Sequence, residues 1–330
     1  MSIRKMIRIM ARFKLVRHLI LTFLILVPMQ ILCGCSHFEE SVFRLGLSLE
    51  RSRSNMELKS VLVEGETIAY LERKGRGETI ILVHGFGASK ENWLRFVRDI
   101  PETFRVIALD LPGHGESSLC FKGIYDVFSM ERRLALALDE IFNEMEVERF
   151  HLAGNSMGGL VSLLYVENHP GRVISLGLFD SAGIVLPIKN DFLKALDQGK
   201  NPLIVSSRKE YDELLDLCFE TEPFLPWPAR NVMARQHIAR NAHYLKMWHA
   251  LFSDMDDTPV RRALPDLKVP VLILWGDRDR ILDISCARVF MSLIPDGTME
   301  IIENCGHVPM VEKPGETARK YLAFITSNQR

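Results

Sequence analysis

Residues 150–160 read F-H-L-A-G-N-S-M-G-G-L, and this stretch decides the fold of the chain. A short apolar run ends at residues 154–158 (G-N-S-M-G), and a helical pattern begins directly after it. This is the G-x-S-x-G nucleophile elbow, in which a strand turns sharply into a helix and presents a serine hydroxyl. Gly154 and Gly158 leave space where a Cβ would crowd the neighbouring strand or helix. Ser156 is therefore a candidate nucleophile, and the alternative is a tightly packed glycine-rich turn without chemistry.

Segments with the pattern of strands alternate with helical segments on both sides of this elbow. The strand-like segments are residues 58–63, 67–71, 79–83, 105–110, 150–153, 173–179, 269–275 and 299–302. The turn residues 64–66 (E-G-E) predict a hairpin between the first two, and helices are predicted at about 89–100, 130–145 and 157–168. Such alternation predicts an α/β fold with a mostly parallel central sheet and helices on both faces.

Residues 184–267 interrupt the alternation. They contain no convincing strand, include seven prolines, and have helical patterns near 210–218, 229–240 and 244–252. Open α/β sheets bind ligands at the carboxyl ends of their strands. We therefore expect a helical cap at 184–267, inserted between late strands of an α/β core made of residues 58–183 and 268–330.

The amino terminus has the pattern of an export signal. Residues 1–18 carry six basic side chains and no acidic one, and an apolar run follows at 19–32. This run is shorter than the roughly 20 residues that span a bilayer as a helix. We expect residues 1–34 to be a signal peptide, with an uncleaved anchor as the alternative.

The end of this segment, residues 32–35 (L-C-G-C), resembles the lipobox of bacterial lipoproteins, although Cys33 stands where a small non-cysteine residue is usual. The resemblance implies that Cys35 becomes the acylated first residue. Residues 38–55 are polar with scattered apolar side chains, so we expect residues 35–57 to form a tether or a poorly packed amino-terminal helix. Ser36 after it implies an outer-membrane location. Cleavage by an ordinary signal peptidase, giving a secreted or periplasmic soluble protein, is the alternative.

Charge and cysteine content narrow the possible partners. Without residues 1–34 the chain would hold 35 basic and 42 acidic residues, a formal net charge of −7. A nucleic-acid partner is excluded because no basic stripe remains to neutralise phosphates. Cys120, Cys218, Cys286 and Cys305 have wide spacings that match no zinc pattern, so we expect mostly free buried thiols and no metal site.

A base for Ser156 is sought among the histidines that follow it, since this architecture orders its partners as serine, acid, histidine. His307, in residues 304–309 (N-C-G-H-V-P), follows a late strand in a loop that can return to the sheet edge. The alternatives are one histidine before a proline after the elbow and three in the expected cap; they are His169, His237, His243 and His249.

Three aspartates compete to orient this base. Residues 274–280 (L-W-G-D-R-D-R) follow a buried strand, and the pattern Gly-x-x-Asp there selects Asp279 over Asp277. Asp180, in residues 179–183 (F-D-S-A-G), is a third candidate because some proteins of this architecture place the acid there. The carboxylate would hold the imidazole tautomer and stabilise the imidazolium.

Donors for an oxyanion are expected on two backbones. The loop after residues 79–83 reads H-G-F-G from His84, and it supplies one donor in this architecture. We assign the N–H groups of Phe86 and Met157 to the oxyanion hole. His84 is expected to brace the loop, with contact to substrate as the alternative. Residues 111–117 (L-P-G-H-G-E-S) are interpreted as a glycine-rich turn with a solvated Glu116.

Five motifs in this order, H-G-F-G, D-L-P-G-H-G-E-S, G-N-S-M-G-G, W-G-D-R-D and C-G-H-V-P, resemble the α/β-hydrolase superfamily over about residues 58–325. H-G-F-G-A-S-K-E-N-W beside G-N-S-M-G-G, with an export signal, is similar to bacterial lipases of the cold-adapted Moraxella and Psychrobacter type. The resemblance implies cleavage of carboxylic esters through an acyl-enzyme, as a triacylglycerol lipase or carboxylesterase. It implies no metal or organic cofactor.

The expected partners are therefore a lipid or small-ester substrate and a membrane held through the lipid anchor; the oligomeric state is left open. An apolar acyl-chain groove in the cap would be built from Phe192, Leu193, Phe219, Phe224, Leu225, Trp227, Trp248 and Phe252. Two other functions remain open: hydrolysis of a carbon–carbon bond of the vinylogous diketone type, and a non-catalytic lipoprotein. A nucleophilic aspartate would have indicated a haloalkane dehalogenase, which Ser156 excludes.

Overall fold

An eight-stranded sheet, in the order β1-β2-β4-β3-β5-β6-β7-β8, forms the centre of the computed structural model. The strands are β1 (Glu57–Val63), β2 (Glu66–Arg73), β3 (Thr79–Val83), β4 (Arg105–Leu109), β5 (Phe150–Asn155), β6 (Val173–Phe179), β7 (Val271–Gly276) and β8 (Gly297–Ile302). The pairs β1/β2 and β2/β4 are antiparallel and all other pairs are parallel. This confirms the predicted α/β-hydrolase fold with a mostly parallel sheet.

The structure describes residues 35–119, 125–143, 145, 147–252 and 256–327. The predicted signal peptide, Cys120 and the side chain of Cys35 lie outside the described residues. The described chain divides into two compact units. One holds the described residues up to Gly46 together with Leu225–Met233, and the other holds Leu47–Phe224 and the described residues from Ala234 onward.

The predicted hairpin is present at the edge of the sheet. Val63 of β1 pairs with Glu66 of β2, so the loop between the strands has two residues. Both of them, Glu64 (φ 53°) and Gly65 (φ 82°), have left-handed backbones. Two-residue hairpins favour this conformation because its twist matches that of the flanking strands.

Helices cover both faces of the sheet, and each face has its own apolar core. The helices are α1 (Cys35–Arg53), α2 (Leu94–Val97), α3 (Val127–Phe142), α4 (Met157–Asn168), α5 (Asp191–Asp197), α6 (Arg208–Cys218), α7 (Ala229–Ala239), α8 (Asn241–Phe252), α9 (Thr258–Ala263), α10 (Ser285–Leu293), α11 (Pro309–Glu312) and α12 (Pro314–Ser327). Apolar residues of α3, α4 and α10 pack on one face of the sheet, and those of α2 and α12 pack on the other.

The prediction of one continuous helix over about 89–100 is wrong. A 3₁₀ turn at Lys90–Trp93 precedes the single turn of α2. The backbone N–H of Lys90 donates to Asp110 Oδ1 at 2.8 Å, which ties the start of this segment to the loop after β4. The sequence pattern indicates the buried face of this segment, with Trp93 and Phe96, but it does not indicate the hydrogen bond to the distant Asp110.

Residues between β6 and β7 form helices α5 to α9, and the part of this segment that the structure describes contains no strand. Three of these helices match the predicted helical stretches. Sequence reasoning missed α5 and α9, which have only seven and six residues. Helices this short show less than two full periods of apolar spacing, so the pattern for them is weak.

The amino-terminal segment is a helix, the second of the two expected alternatives, since α1 begins at Cys35 and ends at Arg53. Within the smaller unit, Asn231 Nδ2 donates to Glu39 Oε1 at 3.1 Å, and the rings of Phe38 and Trp227 lie 6.3 Å apart between centroids. None of the helices in the described residues is both long enough and apolar enough to cross a bilayer.

A buried ion-pair network fixes two loops at the carboxyl edge of the sheet. Lys90 is 1% exposed, and its Nζ donates to Asp110 Oδ2 at 2.7 Å and to Glu116 Oε2 at 2.6 Å. Glu116 also accepts from Arg51 at 2.8 Å, so the expectation of a merely solvated Glu116 is wrong. The network joins the loop after β3 to the loop after β4.

Replacing Lys90 should destabilise the whole fold. In Lys90→Met the fully buried carboxylate of Asp110 would lose its cation, a change that typically costs about 3–5 kcal/mol. We therefore expect the free energy of unfolding, measured by urea titration, to fall by about that amount.

Lys194→Met is the matched control for this experiment. Lys194 pairs with Asp191 at 2.8 Å, but both side chains are more than half exposed. Surface substitutions of this kind change stability by about 0.5 kcal/mol or less. Equal losses in the two variants would show that the Lys90 network contributes no more than a surface pair.

Candidate active site

The elbow at Ser156 has the strained geometry expected of a G-x-S-x-G turn. Ser156 joins β5 to α4 with a positive φ of 56° and a ψ of −122°. A Cβ added at Gly154 would lie 2.2 Å from the carbonyl oxygen of Gly158, and one at Gly158 would lie 2.4 Å from that of His84. Both glycines are therefore required by close backbone approach, and the hydroxyl-bearing residue sits half-buried at the tip.

His307 and Asp279 form a short hydrogen bond at the same sheet edge. His307 Nδ1 lies 2.7 Å from Asp279 Oδ2. Asp279 Oδ1 accepts the backbone N–H groups of Ile281 at 2.8 Å and Leu282 at 2.9 Å. Because an ionised carboxylate only accepts hydrogen bonds, Nδ1 is the protonated nitrogen. Nε2 of His307 is then left with a lone pair that can accept a proton.

The competing acids and bases have other partners. Asp277 Oδ1 accepts the backbone N–H of Cys305 at 3.3 Å. His169 Nε2 lies 3.0 Å from Glu131 Oε1, and His243 Nε2 lies 3.0 Å from the carbonyl oxygen of Gly113. Of the candidates weighed from sequence, Asp279 and His307 are thus the pair that the structure joins.

Backbone contacts hold His307 beside the elbow. Asn155 Nδ2 donates to the carbonyl oxygens of His307 and Phe179, at 3.1 Å each. In the described part of the chain, no hydrogen bond joins Ser156 Oγ to His307. Catalytic hydrogen bonds are often long in free enzymes and shorten when substrate binds. The arrangement can therefore act as a nucleophile, base and orienting acid once substrate closes the remaining gap.

The loop that carries His307 is fastened to the insert between β6 and β7. The backbone N–H of His307 donates to the carbonyl oxygen of Cys218 at 2.8 Å. Glu312 accepts the N–H groups of Gly306 at 2.9 Å, Glu220 at 3.2 Å and Thr221 at 2.7 Å. Sequence reasoning missed Glu312, because only the folded chain brings these two loops together.

The candidate oxyanion donors flank Ser156. A Cβ on Gly85 would lie 3.0 Å from Ser156 Cβ, so the loop after β3 packs against the elbow. Among the described residues, the backbone N–H groups of Phe86 and Met157 donate to no protein acceptor. Unpaired N–H groups of this kind can bind a developing negative charge.

His84 connects this loop to the loop after β4 through hydrogen bonds of its ring. Its Nε2 accepts the N–H of Leu111 at 3.0 Å, and its Nδ1 lies 2.7 Å from the carbonyl oxygen of Gly85. Complete burial lowers the pKa of His84, which keeps the imidazole neutral. A neutral ring with Nδ1–H satisfies both contacts at once, which is what the expected bracing role requires.

Aromatic side chains of the insert close over the ring of Phe86. Its centroid lies 5.5 Å from Tyr244, 5.6 Å from Trp248 and 6.3 Å from Phe252. Phe192 extends this group, 6.4 Å from Trp248. Thus three of the expected groove residues, Phe192, Trp248 and Phe252, belong to this aromatic group, whereas Phe224 is 80% exposed.

The thiols are free, as expected, at Cys218, Cys286 and Cys305. Burial raises the pKa of Cys218 and of Cys286 to about 12, so neither is a thiolate nucleophile. Asp180, Asp279 and His307 have donor atoms within 4.8 Å of one another, as a metal site would require. The short hydrogen bond between His307 and Asp279 lies within this group, so we interpret that pair as acid–base machinery.

Comparison with known proteins agrees with this geometry. The sequence profile of the alpha/beta hydrolase fold family matches residues 78–314, which include Ser156, Asp279 and His307. Lipase 1 of Psychrobacter immobilis is 32% identical over 280 residues, 84% of this chain and 87% of that protein. Lipase 3 of Moraxella sp. (strain TA144) is 30% identical over 281 residues, 84% of this chain and 87% of that protein.

A solved structure is more similar still. The crystal structure of a membrane phospholipase A, described as a bacterial virulence factor, shares 38% identity and superposes with a TM-score of 0.84. That match covers 97% of this chain and 99% of the phospholipase chain. On its motifs, its sheet and these matches, the chain belongs to the α/β-hydrolase family and is related to the Psychrobacter and Moraxella lipases.

Proposed function

We propose that the protein is a serine lipase that cleaves carboxylic esters of lipids through an acyl-enzyme formed on Ser156. The observation that carries this proposal is the 2.7 Å bond between His307 and Asp279 beside the Ser156 elbow. Lipases and a phospholipase A among the related proteins support an ester of a lipid as the substrate.

The mechanism follows from the hydrogen bonds at the site. Asp279 holds His307 with Nδ1 protonated, so Nε2 takes the proton of Ser156 as its hydroxyl attacks the ester carbonyl. The oxyanion that forms is bound by the N–H groups of Phe86 and Met157, each contributing about 2.7–4 kcal/mol of barrier reduction. His307 then gives its proton to the leaving alcohol. Water, deprotonated by the same imidazole, releases the acid.

The acyl chain of the substrate is proposed to lie along the aromatic group formed by Phe86, Phe192, Trp248 and Phe252. These rings lie 5.6–6.4 Å from one another in the Phe86–Trp248, Phe86–Phe252 and Phe192–Trp248 pairs. Each substrate methylene buried there would add up to about 0.8 kcal/mol, which favours longer chains.

Export and attachment to a membrane through acylated Cys35 are part of the proposal. They rest on the basic and apolar pattern of residues 1–32 and on the L-C-G-C sequence that ends it. Two or more acyl chains hold a protein firmly because each buried methylene contributes about 0.8 kcal/mol.

Loss of the nucleophile should abolish ester hydrolysis. We expect Ser156→Ala to lower turnover of p-nitrophenyl esters by at least about 10³-fold, because the acyl-enzyme cannot form. A fluorophosphonate probe should label the wild type and not this variant. Ser292→Ala, which removes an exposed hydroxyl on α10, is the control and should keep wild-type turnover.

Wild-type turnover in Ser156→Ala would refute the serine mechanism. A folded, probe-reactive protein that cleaves no simple ester of any chain length would instead indicate hydrolysis of another bond, such as a carbon–carbon bond.

Removal of Glu312 should impair catalysis more than stability. Glu312→Ala frees three backbone N–H groups that fasten the His307 loop to the insert. A displacement of about 1 Å at a catalytic group can cost roughly 10²-fold, so we expect kcat/KM to fall by about 10–100-fold. Glu300→Ala, which removes a surface partner of Lys320, is the control. A Glu312→Ala protein with unchanged kcat/KM would show that the fastening is dispensable.

If Cys35 is acylated, the full chain and a Cys35→Ser variant should partition differently between detergent and water. When the full chain is expressed in a bacterium, the protein should partition into the detergent phase of Triton X-114. Cys35→Ser should remain in the aqueous phase or keep its precursor length. Mass spectrometry of the amino-terminal peptide should show the added acyl mass on Cys35, and an unmodified Cys35 would refute the anchor.

A further inference from the structure

Asp180 is a second carboxyl group behind the His307–Asp279 pair, and the mechanism above gives it no step. It follows β6 directly, is fully buried, and has a left-handed backbone with a φ of 43°. Asp180, Asp279 and His307 each place a nitrogen or oxygen atom within 4.8 Å of the other two. A carboxyl group held this close to a catalytic pair affects the charge on that pair.

The two carboxyl groups have very different hydrogen-bonding environments. Asp279 accepts three N–H groups, from His307, Ile281 and Leu282. Among the residues that the structure describes, Asp180 accepts one N–H group, from the backbone of Gly276 to Oδ1 at 2.9 Å. Its buried Oδ2 receives no hydrogen bond from any described residue. The environment thus supports a negative charge on Asp279 and leaves one oxygen of Asp180 without a donor.

The charges facing Asp180 also oppose its ionisation. Among the described residues, the ionisable groups placed against Asp180 include Asp279, Glu312, His307 and the thiol of Cys305, and the charges of Asp279 and Glu312 oppose its ionisation. Burial, followed by the charge of Asp279, raises the pKa of Asp180 well above its usual range. A proton on Oδ2 would remove the second negative charge and convert the unpartnered acceptor into a donor.

We propose that Asp180 is a positioning residue that carries this proton, donates it in a hydrogen bond to Asp279, and replaces Asp279 as partner of His307 when Asp279 is removed. This inference deepens the proposed lipase mechanism and rests on it. Asp180 keeps its proton throughout the normal cycle, since the proton of Ser156 moves only to His307 and then to the leaving alcohol. The cluster therefore holds one negative charge, located on Asp279.

A double-mutant cycle tests the exchange of roles. Asp180→Asn keeps the shape and can still donate to Asp279, so turnover should stay within about 5-fold of the wild type. Turnover of Asp279→Asn should fall by about 10²–10³-fold. This loss is smaller than the ~10⁴-fold loss expected where no second carboxylate can replace the missing one. Adding Asp180→Asn to Asp279→Asn should cost at least about another 10-fold, so the two effects would not be additive.

The pH dependence separates this role from a merely structural one. In Asp279→Asn the substitute must be ionised to partner His307, so turnover should rise with pH as Asp180 loses its proton. The double variant should lack the part of that rise that Asp180 contributes, because neither position 180 nor position 279 then carries a carboxyl group. An unchanged far-ultraviolet circular dichroism spectrum would show that each variant is folded.

The proposal also predicts how the stability of the folded protein changes with pH. Above about pH 4 the unfolded chain ionises Asp180 while the native protein retains its proton. The native state then binds more protons, so wild-type stability falls as pH rises until native Asp180 ionises. As the pH rises above about 4, the melting temperature of the wild type should therefore fall relative to that of Asp180→Asn.

Infrared spectroscopy of the wild type tests the proton without any variant. The carbonyl stretch of a protonated carboxylic acid should be present at neutral pH and should disappear in Asp180→Asn. Absence of that band from the wild type would overturn the proposal even if no Asp180 variant folded. Loss of more than about 100-fold in folded Asp180→Asn, or equal effects of this change in both backgrounds, would also overturn it. Full turnover by Ser156→Ala would instead overturn the lipase mechanism itself.

Discussion

The close approach of three backbones at the Ser156 elbow is the constraint on which the site depends. Gly158 packs so near the carbonyl oxygens of Val83 and His84 that a Cβ there would lie 2.4–2.5 Å from them. This contact brings the end of β3, the end of β5 and the start of α4 together. The strained backbone of Ser156 and the adjacent Phe86 and Met157 amides are consequences of the same packing, because all three groups lie where these elements meet.

Polar contacts rather than apolar packing hold the surrounding loops. The Lys90–Asp110 pair joins the loops after β3 and β4, while Glu312 joins the His307 loop to the insert. Buried polar groups of this kind need complete partners, since an unpaired one costs several kcal/mol. Loops fixed by directional bonds can be positioned to fractions of an ångström, which acid–base chemistry requires.

Two carboxyl groups meet at the carboxyl edge of β6 and β7, but their surroundings give them different roles. Asp279 accepts three N–H groups, whereas Asp180 accepts one and is buried among acceptors. Burying one negative charge in this cluster costs less free energy than burying two, because each charge needs compensating partners where water is absent. The orientation of His307 is then set by Asp279, the carboxylate that accepts more hydrogen bonds.

The sequence by itself determined the alternating fold, the elbow and the order of the candidate residues, because apolar periodicity and glycine spacing are local properties. It left open which of three aspartates and which of several histidines act with Ser156, since chain order does not say which side chains meet. Only the tertiary structure joined Asp279 to His307 and brought Lys90, Glu116 and Glu312 into contact with distant loops. These contacts depend on where strands end in space, and that is decided by the packing of the whole sheet.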